Sequence, residues 1–296
     1  MDRAARQCEC RRPLNWLSGE ALKEIVYLFG ALEDFGRLGN QLWQIAATIA
    51  AARRSQVGPA RALVKPSWQY RPFFQLGDQW YDTRTSGEEV FFDLCRRHRE
   101  LGASSPYFQE LRYLEGAERI VRELFAPSRA AAHELERRYA RLWRNDHREH
   151  VALHVRRGDY LIEPEKFPQL TERYYREAVS LVDPESHFLV FSDDIAWCRE
   201  NRHYLGLGGE KDVQFVDGVV REWARRYEGV PQDQYDLFLM RKCQRHIISN
   251  STFAWWGAYL SDDPRPICPN VWFGAKMPDW ERSVNCLPAQ WIRVAC

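Results

Sequence analysis

The segment HVRRGDY, residues 154–160, sets a histidine, two arginines and an aspartate within one short stretch. Read as the end of a strand, its side chains alternate between faces, so His154 and Arg156 project together while Val155 packs opposite. Gly158 then turns the chain. An arginine fork makes paired, charge-assisted bonds to phosphate oxygens, and two arginines at a strand tip suit a diphosphate. The same residues fit a second arrangement, in which Arg156 and Arg157 are bridged to nearby carboxylates. Asp159 is accordingly either a proton acceptor beside the phosphate or the carboxylate that holds the arginines. Glu163 and Glu165, on the following loop, are weaker alternatives as proton acceptor. The RGD tripeptide of Arg157, Gly158 and Asp159 sits at a strand tip, which argues against a role in adhesion.

Three further segments carry chemistry. In GRLGNQ, residues 36–41, glycines let the backbone approach a ligand, and Asn40 and Gln41 stand where a helix begins and amide groups are free. The spacing is not that of the dinucleotide G-x-G-x-x-G fingerprint. In FSDD, residues 191–194, Asp193 and Asp194 follow a strand, where a carboxylate accepts hydrogen bonds from a nucleobase or ribose, or caps the next helix. In SNSTFAWWGAYL, residues 249–260, the hydroxyls of Ser249, Ser251 and Thr252 precede an apolar helix, where an anion or a plain N-cap would use them. Trp255 and Trp256 lie in a continuous apolar stretch and read as helix packing rather than a sugar platform. The chain contains no D-x-D, the pattern by which many glycosyltransferases hold a cation on a diphosphate, so arginine would do the metal's work.

The elements that must position these residues show in the periodicity. Residues 24–31 (EIVYLFGA) read as a strand, followed by the glycine turn and by a helix over LWQIAATIAAARR. Residues 58–110 have no sustained period and read as loops and short elements. Residues 117–125 and 129–143 read as helices, with Pro127 and Ser128 as break and cap. The second half repeats buried strand, polar tip and helix, the signature of a parallel sheet wrapped by helices. Its strands are predicted at 150–155, 187–191, 213–216 and 246–248. Ligands of open α/β sheets bind outside the carboxyl ends of the strands, so the four polar tips point to one shared site.

Composition sets the bounds. A chain of 296 residues with 45% hydrophobic and 28% charged residues is globular, long enough for two domains of roughly 150 residues each. A net charge of +1 gives no global field for nucleic acid or an anionic membrane. The eight cysteines are scattered without C-x-x-C pairs or nearby histidines, which disfavours zinc and suits reduced thiols in a cytoplasm. The first residues lack the apolar core of a signal peptide and no stretch reads as a transmembrane anchor, although peripheral membrane association is compatible with the sequence.

Taken in order, GRLGNQLWQIA, HVRRGDY, FLVFSDDIAWC, VQFVDG, and DLFLMRKCQRHIISNSTFAWWGAYL followed by PICPNVWF resemble the motifs of the α-1,2-fucosyltransferase family over about residues 24–275. The resemblance implies an α/β fold of the GT-B type, with two Rossmann-like domains whose parallel sheets are flanked by helices. Residues 21–146 would form the acceptor-side domain and 147–296 the donor domain, with 1–20 a leader outside both. It implies GDP-β-L-fucose as donor, a galactose-bearing oligosaccharide or glycoconjugate as acceptor, inversion at the anomeric centre, an α-1,2 linkage, and neither metal nor cofactor. Arg156 would bind the β-phosphate with Arg157 and His154 beside the nucleotide. Asp193 or Asp194 would read guanine or ribose, Ser249, Ser251, Thr252 and Phe253 would cradle phosphate, and Asn40 and Gln41 would close the site from the other domain. Two departures bear on the acceptor: Arg37 follows Gly36 where the family has paired glycines, and Thr252 and Ala254 stand where serines are common. The alternatives are a protein O-fucosyltransferase, a transferase for another GDP-sugar, and a non-catalytic nucleotide- or carbohydrate-binding module.

Overall fold

β-Branched and aromatic residues make Glu24–Leu28 a strand, β1, at the centre of a parallel three-stranded sheet. Its neighbours are β2 (Ala60–Leu63) and β3 (Glu89–Asp93). The computed structural model describes residues 24–56, 60–77, 80, 89–94, 96–97, 107–143, 147–217, 233–277 and 284–296. The leader expected at 1–20 lies outside these residues, as does much of the stretch read as loops. The two strands β2 and β3 fall inside that stretch. Their four and five residues are too few to show a period.

The second sheet has six parallel strands in the order β6-β5-β4-β7-β8-β9. These are β4 (His150–Val155), β5 (His187–Ser192), β6 (Val213–Phe215), β7 (Arg245–Ile247), β8 (Ile267–Pro269) and β9 (Ile292–Val294). The α/β class with parallel sheets flanked by helices is therefore as expected, and β8 and β9 are additions to the predicted strands. The chain runs outward from β4 through β5 to β6 and then returns to lay β7 on the other side of β4. That reversal opens a crevice at the carboxyl ends of β4 and β7, the place where doubly wound sheets bind ligands.

The helices are α1 (Leu38–Arg53), α2 (Glu118–Leu124), α3 (Arg129–Tyr139), α4 (Glu172–Ser180), α5 (Ile195–Glu200), α6 (Asp233–Lys242) and α7 (Thr252–Tyr259). Ser128 caps α3 as predicted, its hydroxyl accepting from the Ala131 amide at 3.2 Å. Among the described residues no helix is long and apolar enough to cross a membrane. The cysteines at 198, 243, 268 and 286 are buried and Cys296 is exposed.

Alternation along β4 divides the core. Val151, Leu153 and Val155 pack with α4 on one face, whereas Ala152 joins a larger cluster built from α1, α6 and α7 on the other. That larger cluster also holds residues around the three-stranded sheet, so the two sheets share one apolar body. At its centre Trp43 of α1 meets Trp255 and Trp256 of α7, with ring centroids 4.4 and 5.3 Å away. All three side chains are fully buried, which places Trp255 and Trp256 in the core as their apolar setting predicts. Replacing Trp43 with alanine should lower stability by about 3–5 kcal/mol. Urea unfolding followed by far-UV circular dichroism checks this, and a loss under about 1 kcal/mol would mean the cluster does not join the two halves.

Candidate active site

Two helix starts and two strand tips converge on one cleft of about 680 Å³. The helices α1 and α7 come so close that a Cβ on Gly39 would sit 2.5 Å from the Phe253 nitrogen and 2.7 Å from the Thr252 carbonyl carbon. Glycine is the residue that permits this approach. The Trp256 indole donates to the Gly39 carbonyl at 2.9 Å and locks it. Asn40 then faces Thr252, whose hydroxyl donates to the Asn40 Oδ1 at 2.9 Å, and Gln109 donates to the same oxygen at 2.9 Å. Gly36, with φ at +80°, makes room for the Asn40 amide, since a Cβ there would fall 2.0 Å from Nδ2. Neither helix has a side-chain cap, and in α1 the Asn40 amide turns back to the Arg37 carbonyl at 2.9 Å. The partial positive charge of both helix starts is directed toward the cleft.

The strand tips add side chains. His154 and Arg156 do project together, and both line the cleft with Asp159 and Asp193. Arg156, 15% exposed, pairs with Asp159 at 2.5 Å and with Asp193 at 2.9 Å. The carboxylate-bridged arrangement foreseen as the second option is thus present, and it presents the guanidinium to the cleft rather than removing it. His154 is buried, with Nδ1 2.8 Å from the Ser249 hydroxyl across the crevice between β4 and β7. Burial pulls its imidazole pKa down to about 3, with the charge of Arg156 adding to the fall. Ser251, Thr252 and Phe253 also line the cleft.

Four predicted residues stand behind this surface instead of on it. Arg157 bonds Asp194 at 3.1 Å and lies over the Trp197 ring at 3.8 Å. Asp194 caps α5 by accepting from the Trp197 amide at 3.2 Å, the capping option for this acid. Ser249 is fully buried behind His154. Gln41 donates to the Gly36 carbonyl at 3.1 Å and accepts from the Trp68 indole at 2.8 Å, so it braces the glycine turn. It lines a side pocket of about 390 Å³ with Arg37, Tyr70 and Asp233.

Asp233 and Asp236 are among the cleft residues that were not anticipated. They occupy the first turn of α6, three positions apart and so on one helix face. Asp233 accepts from the Tyr70 hydroxyl at 2.8 Å, and Asp236 from the Tyr139 hydroxyl at 2.5 Å. Burial pushes both carboxyls up. Asp236 reaches about 7, its burial and the charge of Asp233 outweighing the Tyr139 hydrogen bond. The signal available in the sequence was the D-x-x-D spacing at a helix start, which elsewhere is an ordinary complement to the helix dipole.

With the geometry described, likeness to known proteins can be placed. The family model for glycosyl transferase family 11 matches residues 91–268. The chain is 34% identical over 152 residues to an alpha-1,2-colitosyltransferase of Escherichia coli, covering 49% of this chain and 47% of the relative. It is 29% identical over 253 residues to galactoside alpha-(1,2)-fucosyltransferase 1 of Saimiri sciureus, covering 76% of this chain and 63% of the relative. The chain therefore spans about half of the bacterial relative and under two thirds of the primate one. Among solved structures, the fucosyltransferase NodZ from Bradyrhizobium is similar with a TM-score of 0.47 and 15% identity, over 82% of this chain and 93% of that one.

The His154 environment gives a direct test. Its ring resonances should show no titration by NMR between about pH 5 and 8, and a midpoint near 6.5 would contradict the buried, neutral imidazole. An unfolded histidine takes up its proton near pH 6.5 and the folded one near 3. Stability should consequently fall as pH drops through that window, by at most about 1.4 kcal/mol per pH unit from this group.

Proposed function

The chain belongs to glycosyl transferase family 11, and from that premise we propose that it moves L-fucose from GDP-β-L-fucose to a sugar hydroxyl, inverting the anomeric centre and forming an α-1,2 linkage to galactose. The observation that carries this reading is the placement of Arg156 opposite the first turns of α1 and α7 on one cleft. A guanidinium and two sets of helix-start amides form the set of donors that a diphosphate leaving group needs. The names of the two relatives, which both specify α-1,2 transfer, support the linkage.

The reaction proposed is an in-line displacement. The acceptor oxygen forms its bond to the anomeric carbon as the bond to the β-phosphate oxygen breaks and that oxygen keeps the electron pair. Negative charge grows on the leaving diphosphate, and Arg156 with the helix-start amides lowers the energy of that charge. Asp159 and Asp193 fix the guanidinium in place, which removes the cost of organising it at the moment of reaction. His154, being neutral, adds no second buried cation and offers its ring to the nucleotide side. Because the cationic work falls to arginine and amides, transfer proceeds without a divalent cation. The aromatic side chains of Tyr107, Tyr113, Phe167 and Phe273 at the cleft suit the faces of acceptor sugars.

A second donor has a specific observation in its favour, since the E. coli relative is named for colitose transfer. Acceptor-dependent GDP release across GDP-fucose, GDP-colitose, GDP-mannose and UDP-galactose separates the donors, and linkage analysis of the product checks the α-1,2 bond. Release from GDP-mannose or UDP-galactose alone would overturn the fucosyl reading. Arg156→Ala should lower kcat/KM by about 10²–10³-fold and weaken GDP binding while circular dichroism stays unchanged. Wild-type turnover in that variant would remove Arg156 from the diphosphate. Activity should persist in excess EDTA, and strict dependence on added magnesium or manganese would refute the metal-free reading.

A further inference from the structure

We propose that Asp236, on the first turn of α6, is the group that takes the proton of the acceptor hydroxyl. The proposal rests on the fucosyl-transfer reading and assigns its missing base. Among the described residues, the acids lining the cleft are Glu110, Asp159, Asp193, Asp233 and Asp236. The first three are committed to guanidinium groups. Glu110 pairs with Arg112 at 2.7 Å, Asp159 with Arg156 at 2.5 Å, and Asp193 with Arg156 at 2.9 Å while also accepting from the Arg157 amide at 2.9 Å. Their oxygens already serve to hold arginine side chains. Protonating Asp159 or Asp193 would loosen the arginine that must stabilise the leaving group.

Among the described residues, the acids of α6 make no ion pair with a guanidinium, Arg37 and Arg138 acting on them only through their charge. Asp233 lies with both oxygens near the Tyr70 hydroxyl, at 2.8 and 3.1 Å, and it accepts from the amides of its own helix start. Asp236 accepts from Tyr139 through Oδ1 alone, and its Oδ2 makes no hydrogen bond among the described residues. Tyr139 belongs to α3, behind the cleft, so it orients the carboxylate without occupying the space in front of it. Asp236 thus offers a free oxygen to the same cavity that holds Arg156, from a different element.

The transfer balances on this assignment. The acceptor oxygen bonds to the anomeric carbon, its proton passes to Asp236 Oδ2, and the electron pair of the breaking bond leaves on the β-phosphate oxygen. Asp236 then releases the proton to solvent as product departs. The charged and titratable groups around it are Asp233 on its own helix, Tyr139 and Arg138 from α3, Tyr70 beside Asp233, and Arg37 at the edge of α1. Asp233 favours proton uptake, whereas the Tyr139 hydroxyl and the charge of Arg138 oppose it. A base must be ionised to act, so turnover should fall as pH drops through its titration near 7.

The test measures fucosyl transfer from GDP-fucose to a defined galactoside, over about pH 5 to 9, for wild type, Asp236→Asn, Asp159→Asn and Tyr139→Phe. Asp236→Asn should lose about 10²–10³-fold in kcat, keep its GDP dissociation constant within about 2-fold, and lose the acidic limb of the profile. Asp159→Asn should retain that limb. Tyr139→Phe removes a hydrogen bond that stabilises the carboxylate, so its limb should move to higher pH, and this readout stands even if Asp236→Asn folds poorly. The proposal is overturned if Asp236→Asn turns over like wild type, if the limb disappears in Asp159→Asn instead, or if Tyr139→Phe leaves it unmoved. Absence of transfer by wild type would bring down the fucosyl reading together with this one, whereas an active wild type with an unaffected Asp236→Asn would bring down this one alone.

Discussion

The structure depends on the contact between the backbones of α1 and α7 at Gly39. A Cβ at that position would lie 2.5 Å from the Phe253 nitrogen, a separation that neither backbone can yield without moving a whole helix. The contact is fastened by the Trp256 indole on the Gly39 carbonyl and by Trp43 set against Trp255 and Trp256. Helix α1 follows the central strand of the small sheet, and α7 follows β7 of the large one. One close approach therefore sets the position of one sheet's tips relative to the other's. It also brings two helix starts without side-chain caps to the same cleft, which a phosphate-bearing ligand would favour and a cation would not.

That electropositive convergence explains the two kinds of carboxylate around it. Close to Arg156, Asp159 and Asp193 pair with the guanidinium and keep it oriented. Further round, Asp233 and Asp236 are bonded to tyrosine hydroxyls, and burial leaves their charge less compensated. A displacement reaction makes opposite demands at its two ends: a strong, fixed positive field at the leaving group and a moderate proton acceptor at the nucleophile. The cavity holds both arginine-paired and tyrosine-bonded acids, the two kinds that the proposed displacement would call for.

Much of this was legible in the sequence where a local rule sufficed. Alternation along HVRRGDY placed His154 and Arg156 on one face, and the glycine segment before LWQIAATIAAARR announced α1, although the helix already begins at Leu38 within that segment. Ser128 was recognisable as a cap. The strands β2 and β3 were not legible because they lie in a stretch without a sustained period, and β8 and β9 were also missed. Asp233 and Asp236 were missed for a different reason. Acids in a first turn are the usual complement of a helix dipole, and only tertiary packing turns these toward the cleft and buries them beside Tyr70 and Tyr139.

The motif residues that turned away from the cleft follow a rule of their own. Each motif supplies residues both to the cleft and to the scaffold behind it, as in Arg156 and Arg157, Asn40 and Gln41, Asp193 and Asp194, Ser251 and Ser249. Neighbouring residues at a strand tip or a helix start point in different directions, so a chemically rich segment cannot aim all its side chains at one ligand. The second member fixes the first instead. Asp194 caps α5 and holds Arg157, whose own backbone amide bonds Asp193, and Asp193 in turn grips Arg156. The Arg156 guanidinium is thereby tied to the sheet through a chain of bonds that begins at a helix cap, which is why Arg157 and Asp194 stand beside Arg156 and Asp193.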